Sequence, residues 1–168
     1  PVISLILFLL ISAFHFGESQ FADILFKKSL RFIFYFFWGL CLLSTLMYYN
    51  ANELYDITSY FDDTIILDKI YNKEKIGVFF YITNVVTIVS IIALTYYKKI
   101  NNDRLFSELF LLFLIHATFY LFPFIIGFTL YFVALHSIKV MNDEFKFLKD
   151  EDKNFSIMSF LKLLAPYS

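Results

Sequence analysis

Long runs of apolar residues without charges constrain the fold of this chain more than any other feature. A helix that crosses the hydrocarbon core of a bilayer needs about 20 mainly apolar residues, and residues 32–49 and 77–97 are of that order and contain no charge. The composition agrees, since 60% of the 168 residues are hydrophobic and the mean hydropathy is +0.68. Because backbone polar groups in lipid must be satisfied internally, runs this apolar and non-alternating are predicted to be helices.

The number of runs predicts an all-α, polytopic transmembrane helical bundle with about five spans and the start of a sixth. Residues 105–141 are too long for one crossing, and Pro123 near their middle breaks a helix. The predicted spans are about 1–20, 32–49, 77–97, 105–122 and 124–141, with a partial span at 155–168. We expect one integral membrane domain over 1–168, and because both ends fall in apolar or amphipathic stretches, we expect it to be truncated at both.

Two clusters of basic residues predict the orientation of the spans. Lysine and arginine collect in short cytoplasmic loops, and two crossings separate the cluster before the second span from the one after the third, so both are expected on the cytoplasmic side. The clusters are Lys27, Lys28 and Arg31, and Lys98, Lys99 and Arg104. The connection 50–76 then faces outward, with 64–71 along the membrane interface. We expect a multi-pass protein of the cell (inner) membrane.

Charge and cysteine content exclude two classes of function. The formal net charge of −1 provides no basic field for nucleic acid. Cys41 is the single cysteine, so neither a disulfide framework nor a cysteine metal cluster is available. The 24 Phe and 12 Tyr are not in themselves a sign of an aromatic ligand, because an AT-rich coding bias enriches the same residues.

All three histidines, His15, His116 and His136, fall in predicted spans. Intramembrane ionisable residues are costly and usually functional. Any one of them alone is explained by a core histidine that donates to a backbone carbonyl or a hydroxyl, but three in one small bundle favour a metal site. Several imidazoles without cysteine suit iron, zinc or copper.

The depths of the histidines test whether they can meet. Under the predicted topology the first and fifth spans run in the same direction, and His15 precedes Gln20 by five residues while His136 precedes Asn142 by six. Their depths therefore agree within a turn, although an inner end at residue 27 would place His15 roughly 10 Å deeper. His116 lies roughly 10 Å from the Pro123 turn, against roughly 20 Å for His136, so its participation requires a bent or shifted helix.

Residues near His15 and His136 have two interpretations each. Glu18 follows His15 by three residues on the same helical face, where it either orients the imidazole or is an interfacial carboxylate. Gly17 permits close helix packing or the approach of a flat apolar ligand. Tyr131 lies five residues before His136, and its hydroxyl serves either a site or an interface.

Two stretches of the sequence resemble a known family. Phe14-His15-Phe16-Gly17 resembles the Phe-His-(Trp/Phe)-Gly motif of the Brp/Blh family of beta-carotene 15,15'-dioxygenases. The second stretch resembles the family's Pro-x(n)-Phe-x-Leu-Tyr-Phe-x-x-x-His-Ser pattern. It runs from Pro123 through Phe128-Thr129-Leu130-Tyr131-Phe132 to His136-Ser137.

The resemblance implies oxidative cleavage of beta-carotene by O₂ at the central 15,15' double bond, giving two all-trans-retinal for a microbial rhodopsin. It also implies non-haem Fe(2+) held by histidines inside the membrane, with His15 and His136 as ligands and His116 as a possible substitute. We expect the polyene to occupy an apolar tunnel. The residues predicted to contact it are Phe14, Phe16, Tyr131 and Phe132.

The chain departs from the family pattern in two places. The family's ligand histidine in an earlier Pro-His-Gly-like motif has no counterpart here, and Val140 stands where the family often has a histidine four residues after His136. We therefore expect further imidazoles from outside this fragment, and a fragment that is inactive alone. Two alternatives remain open. One is a haem-binding membrane electron-transfer protein with paired axial histidines, and the other is a non-catalytic carotenoid-binding membrane scaffold.

Overall fold

The computed structural model describes residues 2–24, 28–58 and 72–165, and within these ranges it contains helices and no β-strand. The helices are α1 (Val2–Phe21), α2 (Lys28–Tyr49), α3 (Ala51–Thr58), α4 (Lys73–Tyr96), α5 (Asn102–Leu121), α6 (Phe124–Leu130), a π-helical segment (Tyr131–Ser137), α7 (Ile138–Glu151) and α8 (Ile157–Leu164). The prediction of an all-α helical bundle is confirmed. The interfacial stretch predicted at 64–71 and the last residues of the partial sixth span, 166–168, lie outside the described residues.

Four helices are long and apolar enough to cross a membrane. They are Ser29–Tyr49, Lys73–Tyr96, Asn102–Leu121 and the continuous helix Phe124–Glu151. These helices overlap the second to fifth predicted spans, and the last of them extends beyond residue 141 to Glu151. The predicted first span corresponds to α1, whose apolar part Ile6–Phe21 is shorter than the four helices above. The predicted partial span contains the eight-residue α8.

Local side chains explain where several helices begin and end. Asn72 caps α4 by accepting the backbone N–H groups of Glu74 and Lys75 at 2.9 and 3.3 Å. Helix α5 ends at Leu121, and Phe122 is extended because the following Pro123 disfavours a helical residue before it. Helix α6 then begins at Phe124, so the predicted break at Pro123 is confirmed.

The chain divides into two compact units, Pro1–Phe128 and Thr129–Ser168. In the first unit α2 is the central helix, and it packs against α1, α4 and α5. The core around it contains the buried side chains of Phe21, Trp38, Leu42, Ile91 and Phe119. The second unit contains the π segment, α7 and α8, and the Phe160 ring of α8 packs at 5.6 Å against Phe145 of α7.

Helices α1 and α2 approach each other at two glycines. A Cβ at Gly17 would collide with the backbone carbonyl of Tyr35, and a Cβ at Gly39 would collide with the backbone carbonyl of Ala13. Because the earlier residue of α1 pairs with the later residue of α2, the two helices are antiparallel. Since small residues let backbones approach closely in lipid, Gly17 serves helix packing, one of the two interpretations that the sequence allowed.

Candidate functional site

His15 lies on the outer face of α1. Ala13, Phe16 and Gly17 are buried, whereas His15 and Glu18 are both exposed. Glu18 follows one turn after His15, so the two share the exposed face. Phe14, predicted to contact the substrate, is half-buried. The predicted orienting role of Glu18 stays a prediction.

Buried polar side chains link the end of α1 to the beginning of α5 by hydrogen bonds and an ion pair. Gln20 Nε2 donates to both carboxylate oxygens of Glu108 at 3.0 and 2.9 Å, and Glu108 is 2% exposed. Arg104 Nε lies 2.7 Å from Glu108 Oε1, and Arg104 Nη2 donates to the Gln20 carbonyl at 3.0 Å. The cluster holds α1 five residues after His15, and it places the end of α1 beside the start of α5, in agreement with the predicted topology.

His116 lies in α5 with both ring nitrogens bonded inside the first unit. Nε2 is 2.9 Å from Asn84 Oδ1, and Nδ1 is 3.3 Å from the Tyr49 hydroxyl. Asn84 Nδ2 donates to the Phe80 carbonyl at 2.9 Å, which turns the amide oxygen toward His116. The network therefore assigns the proton to Nε2, and Nδ1 accepts from Tyr49.

Asn84 is the centre of this network, which we call the Asn84 cluster and define as Cys41, Thr45, Tyr49, Asn84 and His116. The Cys41 thiol lies 3.3 Å from Asn84 Oδ1, and Asn84 Nδ2 lies 3.4 Å from the Thr45 hydroxyl. To bind a metal, His116 would have to release Tyr49 or Asn84. The histidine thus has the environment of a satisfied core residue, while its predicted ligand role stays a prediction.

His136 lies in the π-helical segment Tyr131–Ser137 of the second unit. Its side chain is 9% exposed and Tyr131 is 2% exposed, whereas Phe132 between them is 43% exposed. The His136 ring centroid lies 6.2 Å from that of Tyr131 and 5.4 Å from that of Phe132. The histidine is therefore a buried imidazole flanked by two of the four aromatic residues that the sequence predicted as substrate contacts.

The π-helix distinguishes this segment from the other described helices. Single-turn π segments inside α-helices are rare and frequently mark functional sites. The hydroxyl of Ser137 donates to the Phe132 carbonyl, five residues earlier, at 2.7 Å. The segment contains the end of the stretch that resembles the family motif.

The structure does not test the predicted ligand set. Within residues 2–24, 28–58 and 72–165, no three His, Cys, Asp or Glu side chains form a group that would hold a metal ion. His15 and His116 belong to the first unit and His136 to the second, so the pairing of His15 with His136 stays a prediction. Val140, where the family often has a histidine, lies in α7 and is 37% exposed.

Sequence reasoning missed the polar residues that organise the first unit. Asn84 lies within an apolar span between Thr83 and Thr87, and all three are buried. Glu108 is a carboxylate in the first two turns of another predicted span. Polar side chains at such positions are costly unless they are paired, and that signal was available for Asn84 and Glu108 as it was for the histidines.

Comparison with known families supports the interpretation of the two motifs. A family model described as beta-carotene 15,15'-dioxygenase matches residues 1–168. No curated protein and no solved structure shows significant similarity to the chain. The family match covers both units and includes the two stretches, around His15 and around His136, on which the resemblance rested. The chain therefore belongs to the beta-carotene 15,15'-dioxygenase family.

Proposed function

We propose that this protein cleaves beta-carotene oxidatively at its central 15,15' double bond within the membrane and releases two all-trans-retinal. Membership of the family supports the substrate and the dioxygenase class. The observation that carries the proposal on the chain itself is the π-helical segment, which buries His136 beside Tyr131 within the family-like stretch. A backbone distortion of this kind, at a buried imidazole, favours a functional site over ordinary packing.

His15 and His136 are the residues that we propose as ligands of Fe(2+). Imidazole nitrogen is a preferred donor for non-haem iron, and His15 and His136 lie in the two stretches that resemble the family's motifs. The carboxylate of Glu18, one turn after His15, is the residue that would orient that ring. Bound iron would supply the activation of O₂ that an oxidative cleavage requires.

The aromatic residues near the histidines divide into two groups by exposure. Phe132 is 43% exposed and Phe14 is half-buried, so these two rings are accessible to a long apolar polyene. Phe16 and Tyr131 are buried, and their rings lie 6.3 and 6.2 Å from those of His15 and His136. We propose that beta-carotene enters from the lipid bilayer and that the retinal passes to a microbial rhodopsin in the same cell membrane.

Retinal measured by chromatography in beta-carotene-producing cells tests the proposal. The full protein encoded by the gene is expressed as wild type and as the His15→Ala and His136→Ala variants. Loss of a residue that merely orients a ligand costs about 10- to 100-fold, so loss of a ligand is expected to lower the retinal yield at least about 100-fold. The iron content of the purified proteins is expected to fall in parallel.

A His116→Gln variant is the matched control. Glutamine keeps a hydrogen-bonding side chain toward Asn84, so we expect a retinal yield near that of wild type. Retinal formation that persists in both His15→Ala and His136→Ala would overturn the proposal. A Soret absorption band in the purified protein would favour the haem alternative, and bound beta-carotene without any retinal would favour the scaffold.

A further inference from the structure

The π segment changes which side chains share a face of its helix. In an α-helix, residues five apart lie about 140° apart around the axis, because each residue advances by about 100°. A π-helix bonds residues five apart and brings them to nearly the same side. Tyr131 and His136 are five apart and both buried, while Phe132 and Val133 between them are exposed at 43% and 56%. The π geometry thus accounts for the shared burial of Tyr131 and His136.

Ser137 makes an unusual hydrogen bond within this segment. Serine and threonine in helices ordinarily bond back to the carbonyl three or four residues earlier. Ser90, for example, donates to the Val86 carbonyl at 2.6 Å and Thr95 donates to the Ile91 carbonyl at 3.2 Å. The Ser137 hydroxyl instead donates to the carbonyl of Phe132, five residues earlier, at 2.7 Å. Its spacing is that of the π-helical backbone bond, so the side chain favours the π geometry over the α geometry.

We propose that Ser137 is a positioning residue: its hydroxyl holds the π turn through the Phe132 carbonyl, and the turn keeps the His136 imidazole on the buried face beside Tyr131. The inference rests on the proposed function for the part that His136 plays in the reaction. The inference adds a role for Ser137, which acts on His136 through the backbone of the π turn. If the segment relaxed to an α-helix, His136 and Tyr131 would point in different directions.

Ser137→Ala and Ser137→Thr in the full protein test this inference. Alanine removes the hydroxyl and is expected to lower kcat about 10-fold, with KM unchanged, and to lower the iron content of the purified protein. Threonine retains the hydroxyl and is expected to restore both. Ser90→Ala removes a hydroxyl with the ordinary four-residue bond, so as the matched control it should change neither.

A deletion distinguishes positioning from general stabilisation. Removing the exposed residue Ala134 from the Ser137→Ala variant leaves the tyrosine and the histidine four apart, where a regular α-helix places them on one face. The combined variant is therefore expected to regain part of the kcat and of the iron content that Ser137→Ala lost.

The outcomes of these experiments distinguish a failure of this inference from a failure of the proposed function. Wild-type kcat and iron content in Ser137→Ala, together with an inactive His136→Ala, would overturn the inference and leave the proposed function standing. A loss in Ser137→Ala that neither threonine nor the deletion restores would show a merely structural residue and would also overturn it. An active His136→Ala would instead refute the proposed function.

Discussion

The two proposed ligand histidines are held in place by different means. His15 lies on a regular α-helix whose position depends on contacts with other helices: the glycine crossing with α2 and the bond of Gln20 to Glu108 of α5. His136 lies in a π segment whose geometry is local, with the Ser137 hydroxyl and the Tyr131 ring within five residues of it. One histidine is placed by helix packing and the other by the backbone of its own turn.

This difference predicts which substitutions should impair the role of each histidine. A substitution that shifts α1 against α2 or α5 should impair His15 and lower the stability of the first unit together, because the same contacts between helices serve both. A substitution beside His136 should impair the reaction with little loss of stability. Three tests in the first unit examine this comparison, and they follow in order of decreasing effect on the free energy of unfolding.

Glu108→Ala is expected to have the largest effect. It leaves the buried Gln20 amide without its carboxylate acceptor and leaves the half-buried Arg104 guanidinium with only the exposed Asp23 carboxylate, 3.5 Å away. Breaking a buried charged pair costs about 3 kcal/mol. Retinal yield should fall with the amount of folded protein, as measured by thermal unfolding in detergent. Glu108→Gln is the control, since it still accepts from Gln20 and loses only the ion pair. Wild-type stability in Glu108→Ala would show that α1 is not held by this cluster.

Gly17→Ala should rank second. The added Cβ meets the Tyr35 backbone carbonyl, which cannot move as a flexible side chain does, and overpacking of this kind costs about 2 kcal/mol. Gly77→Ala is the matched control, because the nearest atom to its new Cβ is a side-chain carbon of Tyr48 at 3.8 Å. Equal melting temperatures of the two variants would contradict the close crossing of α1 and α2.

The bond between His116 and Asn84 should have the smallest effect, and a double-mutant cycle measures it. We expect a coupling of about 0.6 kcal/mol between His116→Ala and Asn84→Ala, the mean for hydrogen bonds between membrane helices. Activity per folded molecule should stay at the wild-type level in His116→Ala. An inactive but fully folded His116→Ala would instead make His116 a ligand candidate equal to His15 and His136.

The sequence was sufficient for the parts of the fold that depend on local properties. Apolar runs of about 20 residues predicted the helices that are able to span a membrane, and Pro123 predicted the end of α5 because its ring and missing N–H act on adjacent residues. The Phe14–Gly17 and 128–137 stretches predicted the family because a sequence motif consists of neighbouring residues and needs no knowledge of contacts between helices.

The contacts between helices could not be predicted from the sequence alone. The bond from His116 to Asn84 requires the register of α5 against α4, and the bond from Gln20 to Glu108 requires that of α1 against α5. The π segment was not predicted either, because the residues from Tyr131 to Ser137 continue an apolar helical run without a glycine or proline to mark a distortion. The hydrogen bond of Ser137 and the burial of Tyr131 became visible only in three dimensions.

The close approach of α1 and α2 limits which substitutions these two helices tolerate. The chain has four glycines, and two of them, Gly17 and Gly39, lie at this one crossing. In a bilayer, exchange among Phe, Ile and Leu on the exposed sides of these helices would change little, because lipid is as apolar as the side chains themselves. Mutational tolerance along α1 and α2 is thus very uneven: most exposed positions accept many apolar residues, whereas Gly17 in α1 and Gly39 in α2 accept only the residue that has no side chain.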